Sequence, residues 1–342
     1  MRLRGHCQTT AMGILPHVDV RRALDLTLSL DIPFWPQLPR LSFFEDMYVQ
    51  VSENFPGMRV DAGEREIYLS LEGFQCELPE LAAHWEDPAH FALSAEYSLA
   101  FRSFLKEDLD DYSHVRGQLV GPVSFGLRVG DEDGWPIIYN DEIRAFLFPF
   151  IQKKISAQLD GMRRRHPNPF VWIDEPGLET LFSAFTGYTE EKARGDYAEF
   201  LGEVPRPRGV HLCGNPDWSF LLDLDMEVLS IDALAQGEIF VRYLDGIARH
   251  IDRGGILCWG ITPTLTEEME GESVASTVSR LQDLWHYLDG RGLDRDQLLC
   301  QSWLAPARCC LINEDGEETV ERSFRLLGRV SEVVRERYGL YD

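Results

Sequence analysis

Short apolar runs recur along the chain, each closed by proline, glycine or a polar residue. Eight stand out: Met12–Leu15, Phe34–Leu38, Leu119–Phe125, Phe170–Ile173, Gly209–Cys213, Val228–Ile231, Ile256–Ile261 and Leu298–Leu304. Stretches with helical spacing separate the later ones: Asp141–Arg165, Gly237–Arg253, Ser273–Arg291 and Glu318–Tyr338. Uninterrupted apolar runs are what parallel strands present when both sheet faces are covered. Eight such strands alternating with helices predict an α/β fold, a single (β/α)8 TIM barrel spanning 1–342 as one domain. A doubly wound sheet has less support, because no glycine-rich phosphate loop opens a βα unit. The stretch 64–112 lacks barrel-like runs and is rich in aromatics and acids, among them Phe74, Trp85, Phe101 and Phe104. It reads as an insertion after the second strand that walls the site.

In this fold the chemistry sits at the C-terminal ends of the strands. His211-Leu212-Cys213 closes the fifth run, and period-two alternation puts its imidazole and thiol on one face. Zinc favours that mix of nitrogen and sulfur donors. Asp232 ends the sixth run, and the Cys309-Cys310 pair follows the eighth. Asp174-Glu175-Pro176 ends the fourth and reads either as part of the site or as a strand-ending turn. Asp232 reads equally as a cap on the following helix. His17, after Pro16, suits a site wall or a helix entry. Cys258 and Cys300 lie in apolar runs and read as core thiols. Asp131–Gly134 has the Asp-Gly signal of a hairpin turn and lacks calcium-loop spacing. Trp35, Phe125, Tyr139, Trp218, Trp259 and Trp303 stand near strand ends, where they line a broad mouth or pack in the core.

Composition narrows the function classes. A net charge of −24 opposes a nucleic-acid partner. No apolar run is long enough to span a membrane, and the N-terminus lacks the apolar core of a signal peptide. Seven cysteines without framework spacing read as reduced thiols, which predicts a cytoplasmic location.

These motifs carry a family resemblance. The chain resembles the C-terminal catalytic half of cobalamin-independent methionine synthase, in the superfamily that also holds uroporphyrinogen decarboxylase. Met12-Gly13-Ile14-Leu15-Pro16-His17 is similar to the family's opening G-S-x-P-H strand, and Asp174-Glu175-Pro176-Gly177-Leu178 to its D-E-P-x-L motif. His211-Leu212-Cys213-Gly214 matches its H-x-C zinc motif. Val228–Asp232 is similar to the strand ending in its zinc-ligating glutamate, Gly260-Ile261-Thr262-Pro263 to its G-[IV]-x-P strand, and Pro306–Leu311 to its P-x-C-G-L segment.

The resemblance implies a zinc-dependent methyltransferase of the short single-barrel kind, active in methionine biosynthesis. It would move a methyl group from a methyl-corrinoid, carried on a partner protein and not tightly bound, to a small thiol such as homocysteine. It implies zinc held by His211, Cys213, Asp232 and Cys309, with Cys310 the alternative, and a substrate region of Asp174, Gly13, Ile14 and His17. Trp35, Tyr139, Trp218, Trp259 and Trp303 would wall it. Three positions depart from the family pattern. Asp232 replaces glutamate and is one methylene shorter, Ile14 replaces serine, and one extra residue precedes Cys309, so that an ungapped match puts Arg308 at the ligand position. Two other readings follow: a decarboxylase of the uroporphyrinogen type, which needs an arginine cluster and no zinc, and a non-catalytic partner of a corrinoid protein.

Overall fold

The computed structural model describes residues 3–181 and 188–341. In chain order its strands are β1 Gln8–Thr9, β2 Met58–Asp61, β3 Glu66–Leu69, β4 Val115–Val120, β5 Gly130–Asp131, β6 Pro169–Asp174, β7 Arg208–Leu212, β8 Val228–Ile231, β9 Ile256–Thr262 and β10 Ser302–Pro306. Seven form one curled, all-parallel sheet in the order β1-β10-β9-β8-β7-β6-β4. The other three form a small sheet, β2-β3-β5.

This is a half-barrel and not the complete eight-stranded ring expected. The runs Met12–Leu15 and Phe34–Leu38 do not become full strands. They make isolated parallel bridges, Ile14 to Gln37 and Phe34 to Arg116. Through these the segment around Pro33–Gln37 lies between the two edges, with the Arg116 amide donating to the Pro33 carbonyl and the Leu15 amide to the Gln37 carbonyl. Proline has no N–H for a ladder, and Pro16, Pro33 and Pro36 punctuate both runs, so continuous pairing fails there.

Two further runs shift. The third strand begins at Val115, and Pro122 opens a helix over Pro122–Arg128. Leu298 and Leu299 belong to the helix Arg295–Cys300, ahead of β10. The stretch 64–112 supplies β3 and the helices Leu71–His84, Pro88–Phe91 and Leu99–Phe104. Its aromatics pack on the long helix Asp141–Arg163: Phe74 lies 5.8 Å from Phe146, and Phe91 lies 5.4 Å from Phe150. Asp131–Gly134 is the expected turn, with Asp131 accepting from the amides of Asp133 and Trp135 and Gly134 at φ +80°.

Alternation along the strands sorts side chains into two cores. Val171, Ile173, Val210, Leu212, Leu229, Ile231, Leu257 and Trp259 face the surrounding helices as part of the main core. Phe170, Trp172, Val228, Ile256, Cys258, Trp303 and Ala305 form a second cluster on the opposite, inner face. Asp174, His211, Ser230 and Asp232 continue that inner face toward the C-terminal ends of their strands.

Candidate active site at the strand ends

The inner face turns polar above the Trp172 layer. His211 is buried, and its Nδ1 lies 3.0 Å from Ser230 Oγ. Its Nε2 is buried with no hydrogen-bond partner. Burial, and then the nearby Arg116 charge, push the imidazole down to about 3, so the ring is neutral. The Ser230 bond fixes the ring and leaves Nε2 free to act as a donor atom toward a ligand.

Two thiols stand at the same end of the sheet. Cys213, one residue past β7, is raised to about 11, first by burial and then by the charges of Asp174 and Asp232. Cys309 is raised to about 12, first by burial and then by Cys213 and Asp174. Asp174, Cys213 and Cys309 stand at or just past the C-terminal ends of β6, β7 and β10. Cys310 turns into the main core. One nitrogen and two sulfur donors suit a zinc ion, and such a set holds its protons until a cation displaces them. The fit is partial. Among the described residues, the one set of three donors whose ligand atoms all lie within 4.8 Å of one another is elsewhere, at His17, Glu317 and Glu321. The His211–Cys213–Cys309 set is more widely spaced.

Asp232 takes the capping role. Its carboxylate accepts from the Ala235 amide at 2.9 Å and pairs with Arg308 Nε at 2.7 Å. Arg308 thus uses the place next to Cys309 to neutralise Asp232, and it also reaches Glu268 at 2.9 Å. Both capping and pairing occupy the oxygens that ligation would need.

Asp174 ends β6, buried, and accepts no side-chain hydrogen bond among the described residues. Burial raises its carboxyl from 3.8 to about 7, against a lowering pull from Arg116. Arg116 is fully buried between the rings of Phe34 and Trp172, at 4.5 and 4.4 Å from their centroids. It donates to the Ala11 carbonyl, Thr10 Oγ1 and Gln118 Oε1. Among the described residues no carboxylate touches it, so Asp174 is its counter-charge at a distance. The sequence reading missed Arg116. Its signal is a charge at an alternating position in Val115-Arg116-Gly117-Gln118-Leu119, just before the apolar run Leu119–Phe125.

Glu175 points away from Asp174, as strand alternation predicts. Its carboxylate caps the helix Pro122–Arg128 by accepting from the Val123 and Ser124 amides and Ser124 Oγ, and it also accepts from the Tyr197 hydroxyl. Gly121 is required here, because a Cβ at that position would collide with the Glu175 carboxylate.

Other expected positions fall elsewhere. Trp35, Trp218, Trp259 and Trp303 are fully buried, and Tyr139 is exposed on a 3-10 turn. Their bulk is apolar, and the core takes it. Trp172, 5.6 Å from His211, is the indole at the site. Gly13 lies against Gln118, and Ile14 bridges Gln37 at the sheet edge. His17 contacts Glu321. Cys258 is core as expected, whereas Cys300 is exposed at a helix end.

No helix among the described residues is long and apolar enough to cross a membrane. No family model matches the chain, and no curated protein matches it. Among solved structures, a methyltransferase from Methanosarcina mazei superposes with a TM-score of 0.57 over 96% of this chain and 94% of that one, at 14% sequence identity. The likeness extends over nearly the whole of both chains and is one of fold.

Proposed function

We propose that the chain is a methyltransferase that moves a methyl group to a small thiol, with homocysteine as the leading acceptor and a methyl-corrinoid protein as the leading donor. The observation that carries this reading is that His211, with its unpartnered Nε2, Cys213 and Cys309 all stand at the C-terminal ends of strands of one parallel sheet. The full-length fold likeness to a methyltransferase agrees with it. His211, Cys213 and Cys309 would hold a zinc ion, with solvent or substrate in the fourth position and Asp232 kept back by Arg308. When bound, zinc supplies the charge that keeps a substrate thiol deprotonated at neutral pH, where a free thiol near ~8.5 is mostly protonated.

The rest falls to the chain itself. Asp174 meets the ammonium of an amino-acid thiol and becomes ionised as it does so. Arg116 stands behind it as the fixed cation that favours that ionised state. Ser230 holds the His211 ring in place, and Trp172 excludes water from the floor. The thiolate sulfur forms the new bond to the methyl carbon as the donor's bond to that carbon breaks and its electron pair leaves with the donor. A decarboxylase reading lacks its arginine cluster, since Arg116 is sealed between two rings and Arg308 is paired.

The test is thiol-dependent demethylation of methylcobalamin by zinc-loaded protein, followed by absorbance. Turnover with homocysteine that disappears in Cys213→Ser supports the proposal. Absence of turnover with homocysteine, coenzyme M and other small thiols would leave a non-catalytic role.

A further inference from the structure

The loop after β1 meets the helix Glu318–Tyr338 at a cluster that no step above uses. His17 is fully buried, and neither ring nitrogen has a hydrogen-bond partner. Its ion-pair contact is a 3.4 Å approach of Nε2 to Glu321 Oε1. Glu317, one turn earlier, completes a set whose ligand atoms lie within 4.8 Å of one another, the only such set among the described residues. Burial holds the imidazole in its neutral form, the form that donates to a metal.

We propose that His17, Glu317 and Glu321 form a second metal site, for a divalent first-row transition ion such as zinc. One imidazole and two carboxylates suit such an ion. Ligands of tetrahedral zinc, at bonds of about 2.0–2.2 Å, stand roughly 3.3–3.6 Å apart. His17 and Glu321 already have that spacing, and Glu317, within 4.8 Å of both, closes in by about 1.5 Å at most. Arg22 now holds the cation's place, with Nη1 2.6 Å from Glu317 Oε2 and Nε 2.6 Å from Glu321 Oε1. Its side chain is 54% exposed and borders an open depression of about 540 Å³ into which it can swing. A divalent ion brings twice the charge and a bond to the otherwise orphaned imidazole, to which Arg22 makes none. The site would fasten the loop after β1 to the last helix, beside the rim that carries the cysteines but separate from them. It reassigns His17 from substrate binding.

The test uses the full chain carrying Cys213→Ser and Cys309→Ser, titrated as apo protein with Co2+ and with Zn2+. One equivalent should bind, without sulfur-to-cobalt charge-transfer absorption, and should raise the thermal midpoint. Adding Glu317→Gln and Glu321→Gln should abolish that equivalent. Arg22→Ala should tighten it at least tenfold by removing the competing cation. In the wild type the two glutamine substitutions should remove one equivalent and leave the sulfur-to-cobalt absorption intact, so this arm does not depend on the folding of the cysteine variant. No saturable binding that depends on Glu317 and Glu321 in either background overturns the proposal. Loss of the sulfur-to-cobalt absorption alone counts against the cysteine site and not against this one.

Discussion

Replacing Asp174 with asparagine should stabilise the protein while damaging it as an amino-thiol receptor. The carboxyl moves from 3.8 to about 7 on folding because burial disfavours its ionised form more than Arg116 favours it. The folded state therefore holds a proton that the unfolded chain releases. Stability attributable to Asp174 is lost as pH rises from about 4 to about 7, and the loss is complete above that window. A shift of this size corresponds to at most about 4 kcal/mol, at ~1.4 kcal/mol per pH unit. Asparagine escapes that cost but leaves Arg116 without its counter-charge, which returns part of it. The net gain expected at pH 8 is about 1–3 kcal/mol, shrinking toward zero or below near pH 4. Urea unfolding of both proteins at pH 5 and pH 8 measures it, because the difference between the two differences isolates one carboxyl. Binding should move the other way. Losing a charge-assisted hydrogen bond costs roughly 1.5–3 kcal/mol, so homocysteine affinity should fall about ten- to a hundredfold, with zinc content and affinity for a thiol lacking the ammonium unchanged. In the wild type, affinity for the amino thiol should rise with pH through about 7 as the carboxyl gives up its proton. A pH-independent stability difference, or equal loss for both kinds of thiol, would refute the reasoning and make Asp174 a structural residue.

Three further outcomes follow from the same geometry. Zinc uptake by His211, Cys213 and Cys309 at pH 7 should release about two protons, because both thiols are protonated without a cation. Elemental analysis of Cys213→Ser should show that this zinc is lost, and full retention would sink the assignment. Arg116→Met should push the Asp174 carboxyl higher still, moving the pH midpoint of amino-thiol binding upward; an unchanged midpoint would show that the buried cation does not act on Asp174. Tyr197→Phe takes one donor from the buried Glu175 carboxylate and should cost about 1–2 kcal/mol in unfolding free energy without changing binding.

The sequence by itself determined the parallel α/β character, because a strand covered on both faces must be apolar throughout. It determined β8 to the residue and the helix Glu318–Tyr338 to its ends. Strand alternation also predicted His211 and Cys213 on one face and turned Glu175 away from Asp174, since those relations depend only on period two, whereas the register that sets Asp174 opposite His211 is tertiary. Other features needed the tertiary structure. Whether Pro33 and Pro36 allow a full strand depends on which neighbours must donate to it, and only isolated bridges form. Whether an indole borders the site or the core depends on what packs over it, and Trp172 was the one at the site. In sequence Asp232 reads as ligand or cap with equal right, and Arg308, 76 residues on, decides it by pairing with the carboxylate. Arg116 and the His17–Glu317–Glu321 cluster were illegible for the same reason. Their meaning comes from partners far along the chain, and no local pattern specifies which charges the fold will bring together.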